Sequence, residues 1–225
     1  MYRLEVIAST LQEAIDAQTG GADSVEICVD LAVGGLTPPL DLARAIRDAV
    51  IIDTHMMIRP HAASFYYTPH DIDVILRAAE SAARIGVTQI VFGALTSNDE
   101  VDLELVRQVK QAAGGLALTF HRALDDARDP TGDVAALRGL ADRILSSGGA
   151  PNIREGRERM GAWVRTYGAA LRFACAGGVT LDNLPELVRT TGAPEYHVGS
   201  AARSNGVVEV ARVRSLRETL DRQGQ

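Results

Sequence analysis

Lysine is nearly missing from this chain of 225 residues: Lys110 is the only one among 23 basic residues, and the others are arginines. It lies in DLELVRQVKQAA, where Leu103, Val106 and Val109 recur at helical spacing and place it on a surface helix. Schiff-base chemistry, which needs a lysine desolvated in an interior, is therefore not expected. Cysteine is as scarce. Cys28 and Cys175 stand alone and without CxxC spacing, which excludes a disulfide framework and leaves two reduced thiols. HExxH and similarly tight ligand spacings are absent. So is any apolar run long enough to span a bilayer, and the opening MYRLEVIAS enters a strand pattern without a leader's charged and apolar regions. A cytoplasmic location is expected. Clusters of positive charge are lacking too: the net charge is −6 with signs interspersed, so neither nucleic acid nor an anionic membrane is an expected partner. Small anionic molecules or metal ions remain.

What is present is a regular alternation. Short β-branched and apolar runs near 3–8, 24–29, 52–59, 89–94, 116–122, 143–147, 171–176 and 195–199 predict eight strands. Each is followed by a segment of helical period. Thr10, Asp71 and Asp182 read as helix starts, and Gly20, Gly86, Gly168 and Gly192 as helix ends. Eight βα units with 46% hydrophobic residues and no linker predict one α/β domain over 1–225, a (β/α)8 barrel. A doubly wound open sheet would want a glycine-rich turn after the first strand, where Ala8-Ser9-Thr10 stands instead.

Two strands end in chemistry. THMMIRPH (54–61) closes on Arg59 and His61, and TFHRALDDARDP (119–130) on His121, Arg122 and Asp125. In a (β/α)8 barrel the carboxyl ends of strands carry the active site. Period-two alternation puts Glu5 with Ile7, Glu26 with Cys28, His55 with Met57 and Arg59, and Thr119 with His121. If Glu5, Glu26, His55 and His121 all face inward, they must neutralise one another or bind something, because isolated buried ions are prohibitively costly. They are the candidate catalytic groups. Arg59 and Arg122 are the candidate anion clamps. Gly177, Gly178, Gly199 and Ser200, in the loops after the seventh and eighth strands, are candidate phosphate or anion donors, with Ser147 of the Ser-Ser-Gly-Gly loop adding a hydroxyl. Cys28 beside Met56 and Met57 offers soft ligands for Cu(I), although such residues are also ordinary core fillers.

The segments LEVIAS, GGADSVEICVDLAVGGLTPPL, HMMIRPHAASFYYT, VFGAL, LALTFHRALD, RILSSGG, CAGGVTLDNL and EYHVGSA together resemble the CutC family of copper homeostasis proteins. The resemblance implies a (β/α)8 barrel and cytosolic copper handling, with copper as the cofactor or cargo and thiolates as its ligands. It also implies cysteines at positions occupied here by Ile7-Ala8 and by Phe65-Tyr66-Tyr67. Only Cys28 keeps a familiar cysteine position, making it the leading copper ligand, with Cys175 or Met57 assisting. Two readings stay open: a copper-binding protein, and an enzyme acting by acid–base chemistry on a small anionic, phosphorylated substrate. A homo-oligomer is expected in either case.

Overall fold

The computed structural model describes residues 2–224. Eight parallel strands, β1 (Arg3–Ala8), β2 (Ser24–Ile27), β3 (Asp53–Met57), β4 (Gln89–Phe92), β5 (Ala117–Phe120), β6 (Arg143–Ser146), β7 (Arg172–Cys175) and β8 (Glu195–Val198), close in sequence order into a barrel. The eight helices are α1 (Leu11–Gly20), α2 (Leu40–Ala49), α3 (Pro69–Ile85), α4 (Leu103–Ala112), α5 (Pro130–Ala136), α6 (Ile153–Tyr167), α7 (Leu184–Thr191) and α8 (Val210–Gln223). The expected (β/α)8 barrel is thus the observed architecture. Strand bounds match the sequence pattern to within two residues. The Val207–Val208 pair, which extended the helical pattern of the last segment, instead forms β10, a two-residue strand paired with β9 (Arg203–Ser204) ahead of α8.

Strand parity divides the residues cleanly. Leu4 and Val6, Val25 and Ile27, Ile90 and Phe92, Leu118 and Phe120, and Tyr196 and Val198 point outward and are buried beneath the helices, where they form the main apolar core. The barrel interior is polar instead. It holds Glu5, Glu26, His55, Gln89, Thr119, Arg143 and His197, all buried, with Cys28, Met57, Val91 and Leu145 above them. Such barrels ordinarily fill that space with branched apolar side chains.

Three helix-end expectations need correction. Thr68, not Asp71, caps α3: its hydroxyl accepts from the Asp71 amide while Asp71 reaches back to the Thr68 amide, a capping box in which Asp71 is the third helical residue. The left-handed position ending α1 is Gly21 (φ 95°); Gly20 is the last helical residue, and a Cβ there would lie 2.5 Å from Val213 Cβ of α8. Asp182 precedes the start of α7, whose cap is Asn183, and Asn183 Nδ2 donates to Gly178 O and so pins the loop after β7. Replacing Thr68 by alanine removes one side of the capping box, and thermal or urea unfolding is expected to show a loss of about 1 kcal/mol.

Candidate functional site

The inward-facing groups sort into two layers. In the lower one Glu5 is fully surrounded. Its Oε2 accepts from Arg143 Nη2 at 2.7 Å and from His197 Nδ1 at 2.7 Å, while its Oε1 accepts from Arg143 Nη1 at 3.3 Å and is hydrogen-bonded to His55 Nδ1. Arg143, itself fully buried, reaches Glu195 with Nε at 2.7 Å, and Glu195 lies 3.5 Å from the half-exposed Arg172. Burial alone would raise the Glu5 carboxyl, but the Arg143 guanidinium, then the two imidazoles, outweigh it and hold the group well below the usual carboxylate range. Glu5 and His55 are therefore structural partners, and neither lines the cavity above. The proposed catalytic quartet is split: Glu5 and His55 satisfy each other, and Glu26 and His121 do not.

The upper layer opens into a cavity of about 380 Å³ at the carboxyl ends of the strands. Glu26 and His197 form one wall, with Glu26 Oε2 3.4 Å from His197 Nδ1. Burial pushes the Glu26 carboxyl up to about 7, against the opposing pull of His197. His197 would be lowered by burial, but Glu26 and Glu5 raise it. Both groups are thus displaced upward, and a raised carboxyl beside a raised imidazole is a pairing suited to general acid–base work. His121 lines another wall. Its Nδ1 accepts from the Ala123 amide at 3.1 Å, so the ring's proton is on Nε2, and Nε2 has no partner. Burial, then the nearby Arg59 charge, pushes this imidazole down to about 3, so it stays neutral and serves as a hydrogen-bond donor rather than a base.

Three guanidinium groups border the cavity: Arg59, Arg122 and Arg203. Arg122 donates to Asp125 Oδ2 at 2.8 Å, and Arg203 to Glu13 Oε2 at 2.8 Å, so both are neutralised. Arg59 is not. It lies over the Phe65 ring, 4.8 Å from the centroid, and among the described residues it pairs with no carboxylate. Gly177, Gly178, Gly199 and Ser200 all line the mouth, and among the described residues the amides of Gly178, Val179 and Ser200 find no protein acceptor. Ser147 is placed differently. It is fully buried behind the wall, where its hydroxyl is engaged with Asp125 and Ala150 O.

A family model described as the CutC family matches residues 2–202. The chain belongs to the CutC family. A CutC family protein of Histophilus somni is 34% identical over 198 residues, which cover 88% of this chain and 82% of that protein. One from Xanthomonas axonopodis pv. citri is 36% identical over 208 residues, covering 91% and 84%. The crystal structure of a candidate copper homeostasis protein CutC from Streptococcus agalactiae superposes with a TM-score of 0.84 at 28% identity, over 89% of this chain and 99% of that one.

Within this CutC barrel the two cysteines are on different faces. Cys28 lines the cavity beside Met57: a Cβ built on Gly35 would stand 3.0 Å from Cys28 Sγ and 3.7 Å from Met57 Cε. Cys175 points outward from β7 against α7, with its thiol 3.6 Å from Thr191 Oγ1. It cannot join Cys28 on one ion. Burial, and for Cys28 the adjacent Glu26 charge, raises both thiols, Cys175 to about 12, which opposes the thiolate that copper needs. Glu5, Glu26 and His197 offer ligand atoms within 4.8 Å of one another. Arg143 already occupies the Glu5 oxygens, so a cation entering there would meet a buried guanidinium. The sequence reading passed over His197, Arg143 and Arg203. Parity in EYHV places Glu195 and His197 on one face and was signal enough for His197; Arg203 follows a 3-10 turn (Ser200–Ala202) and has no periodic signal.

Proposed function

We propose that this protein serves the copper-homeostasis role named for its Streptococcus agalactiae relative through an enzyme-like pocket, one that binds a small anionic, phosphorylated molecule and moves a proton on it. The observation carrying this reading is the Glu26–His197 pair on the wall of a cavity whose mouth offers unpaired amides and a cation without a counter-charge. Backbone donors at the loops after β7 and β8 suit a phosphate. Held there, a substrate presents its carbon frame to Glu26, which takes or returns the proton, while His197 keeps the carboxyl poised between its two states. A cytoplasmic setting is part of this reading; among the described residues no helix is long and apolar enough to cross a membrane.

One observation favours a second reading, direct Cu(I) capture: Cys28 and Met57, two residues with soft sulfur donors, line the same cavity. Two soft ligands with a protonated thiol make a weak site. Competition against a Cu(I) chelator, for wild type and Cys28→Ser, should show weak copper retention that falls in the variant. Titration with inorganic phosphate, followed by NMR, should show saturable shifts at Gly178 and Ser200. Tight stoichiometric copper abolished by Cys28→Ser, with phosphate leaving those amides unmoved, would overturn the enzyme-like reading in favour of a copper carrier.

A further inference from the structure

Two features of the cavity are not used by a phosphate at the β7–β8 loops. Arg59 is 8% exposed, and among the described residues it makes no salt bridge, Asp126 meeting its charge only at longer range. Its Nη1 is spent on the carbonyls of Val33, at 2.9 Å, and Gly35, at 3.3 Å. That leaves the Nε–Nη2 edge. Among the described residues Nε has no partner and Nη2 makes no hydrogen bond. This edge presents two parallel N–H donors, the fork that grips a carboxylate with two bonds. His121, 4% exposed, adds its unpaired Nε2–H from the neighbouring wall, with the Phe65 ring against both groups, tilted and 5.2 Å from the imidazole centroid.

Buried donors without acceptors are rare because each forfeits its hydrogen bonds to water. Two of them, on a guanidinium and an imidazole that both lie against the Phe65 ring and line one cavity, form a built anion site. The topology locates it. β3 and β7 are four strands apart in a closed ring of eight, so Arg59, just past the end of β3, faces the Gly177–Val179 loop across the mouth. One free guanidinium beside a neutral imidazole donor matches a group of one negative charge, so a carboxylate suits it more closely than a second phosphate carrying a charge of about −1.5 to −2.

We infer that the substrate is a small phosphorylated carboxylic acid lying across the barrel mouth, its carboxylate held by Arg59 and His121 and its phosphate by the loops after β7 and β8. This rests on the phosphate seat proposed above and adds a second pole to it. The carbon frame between the poles then lies over Glu26 and His197. A carboxylate beside the Arg59 charge also makes protons on the adjacent carbon easier to remove, because the guanidinium stabilises the charge that develops. Arg122, though nearer in sequence to His121, is answered by Asp125 and is not part of the clamp.

The test measures binding, not turnover. Phosphoglycolate, inorganic phosphate and acetate are each titrated against wild type, Arg59→Gln, Arg59→Lys and Arg84→Gln, with circular dichroism melts to establish that each variant folds. Wild type should bind phosphoglycolate at least about tenfold more tightly than phosphate. Arg59→Gln should erase that advantage and abolish acetate shifts at His121 while phosphate binding stays within about twofold. Arg59→Lys should fall between, keeping the charge without the fork, and Arg84→Gln, on the exposed side of α3 and outside the cavity lining, should match wild type. Phosphoglycolate no tighter than phosphate, or an advantage that survives Arg59→Gln, overturns the second pole and leaves the phosphate seat standing. If phosphate fails to bind, the seat is what has failed; an Arg59-dependent acetate site would then keep the carboxylate pole but not the two-pole substrate.

Discussion

Replacing Arg143 by methionine is expected to destabilise the barrel by about 3–5 kcal/mol, the usual consequence of stranding a buried charge. Arg143 is fully buried, with Glu5 on one edge of its guanidinium and Glu195 on the other, so its loss leaves two interior carboxylates facing each other. Urea unfolding at pH 7 measures the cost. The pH dependence gives a second signature. Glu5 is held well below its ordinary value near 4.5, so its contribution in wild type is fully present above that value and is lost as pH falls through the folded value. In Arg143→Met burial is no longer offset, so the stranded carboxyls take up protons as pH falls from 7 toward about 4.5 and the deficit relative to wild type should shrink over that range and further below it. A deficit unchanged between pH 7 and pH 4 would mean that Arg143 acts by filling space rather than by charge.

Glu26→Gln should separate stability from activity. The carboxyl is raised to about 7, so the folded state holds its proton more tightly than the unfolded chain does. Its stabilising effect is fully present below the unfolded value near 4.5 and is lost as pH rises through 7. Glutamine keeps the shape without the charge. The variant should therefore unfold like wild type near pH 4 and prove more stable at pH 8 by about 1–3 kcal/mol, the lower end applying because His197 loses the partner that raises it. Proton transfer by the pocket should meanwhile fall by about 10²–10⁴-fold. Equal stability of the two proteins at pH 8 would mean that Glu26 titrates as an ordinary surface carboxylate and is not the proton carrier.

The barrel was legible because its signal is local and repeated. Outward residues such as Leu4, Val6, Ile90 and Phe92 leave apolar periodicity in every strand, and the same parity reveals the inward Glu5, Glu26, His55 and Thr119. What parity does not carry is pairing. Glu5 and Arg143 are 138 residues apart, and only closure of the ring brings them together, so the sequence shows a set of inward charges without saying which are already answered. That distinction is what removes Glu5 and His55 from the pocket and leaves Glu26. Arg122 is the opposite case: Asp125 lies three residues on, in the same run, and neutralises it. Arg59 reads in the sequence as one of two equal clamps, and only the carbonyls around its Nη1 show which edge remains open.

The chain of charges from Arg172 through Glu195, Arg143 and Glu5 to His197 and Glu26 runs from the amino-terminal ends of the strands to the cavity. Scaffold and candidate site therefore share one electrostatic circuit. In a library of variants selected for function, harmful substitutions would not cluster around the mouth alone. Position 172, half exposed at the far end, would register as a tuner of proton affinity, and its tolerated replacements would depend on which residue occupies position 26. In this family, co-varying positions across the barrel axis are the pattern such a circuit would leave in drift.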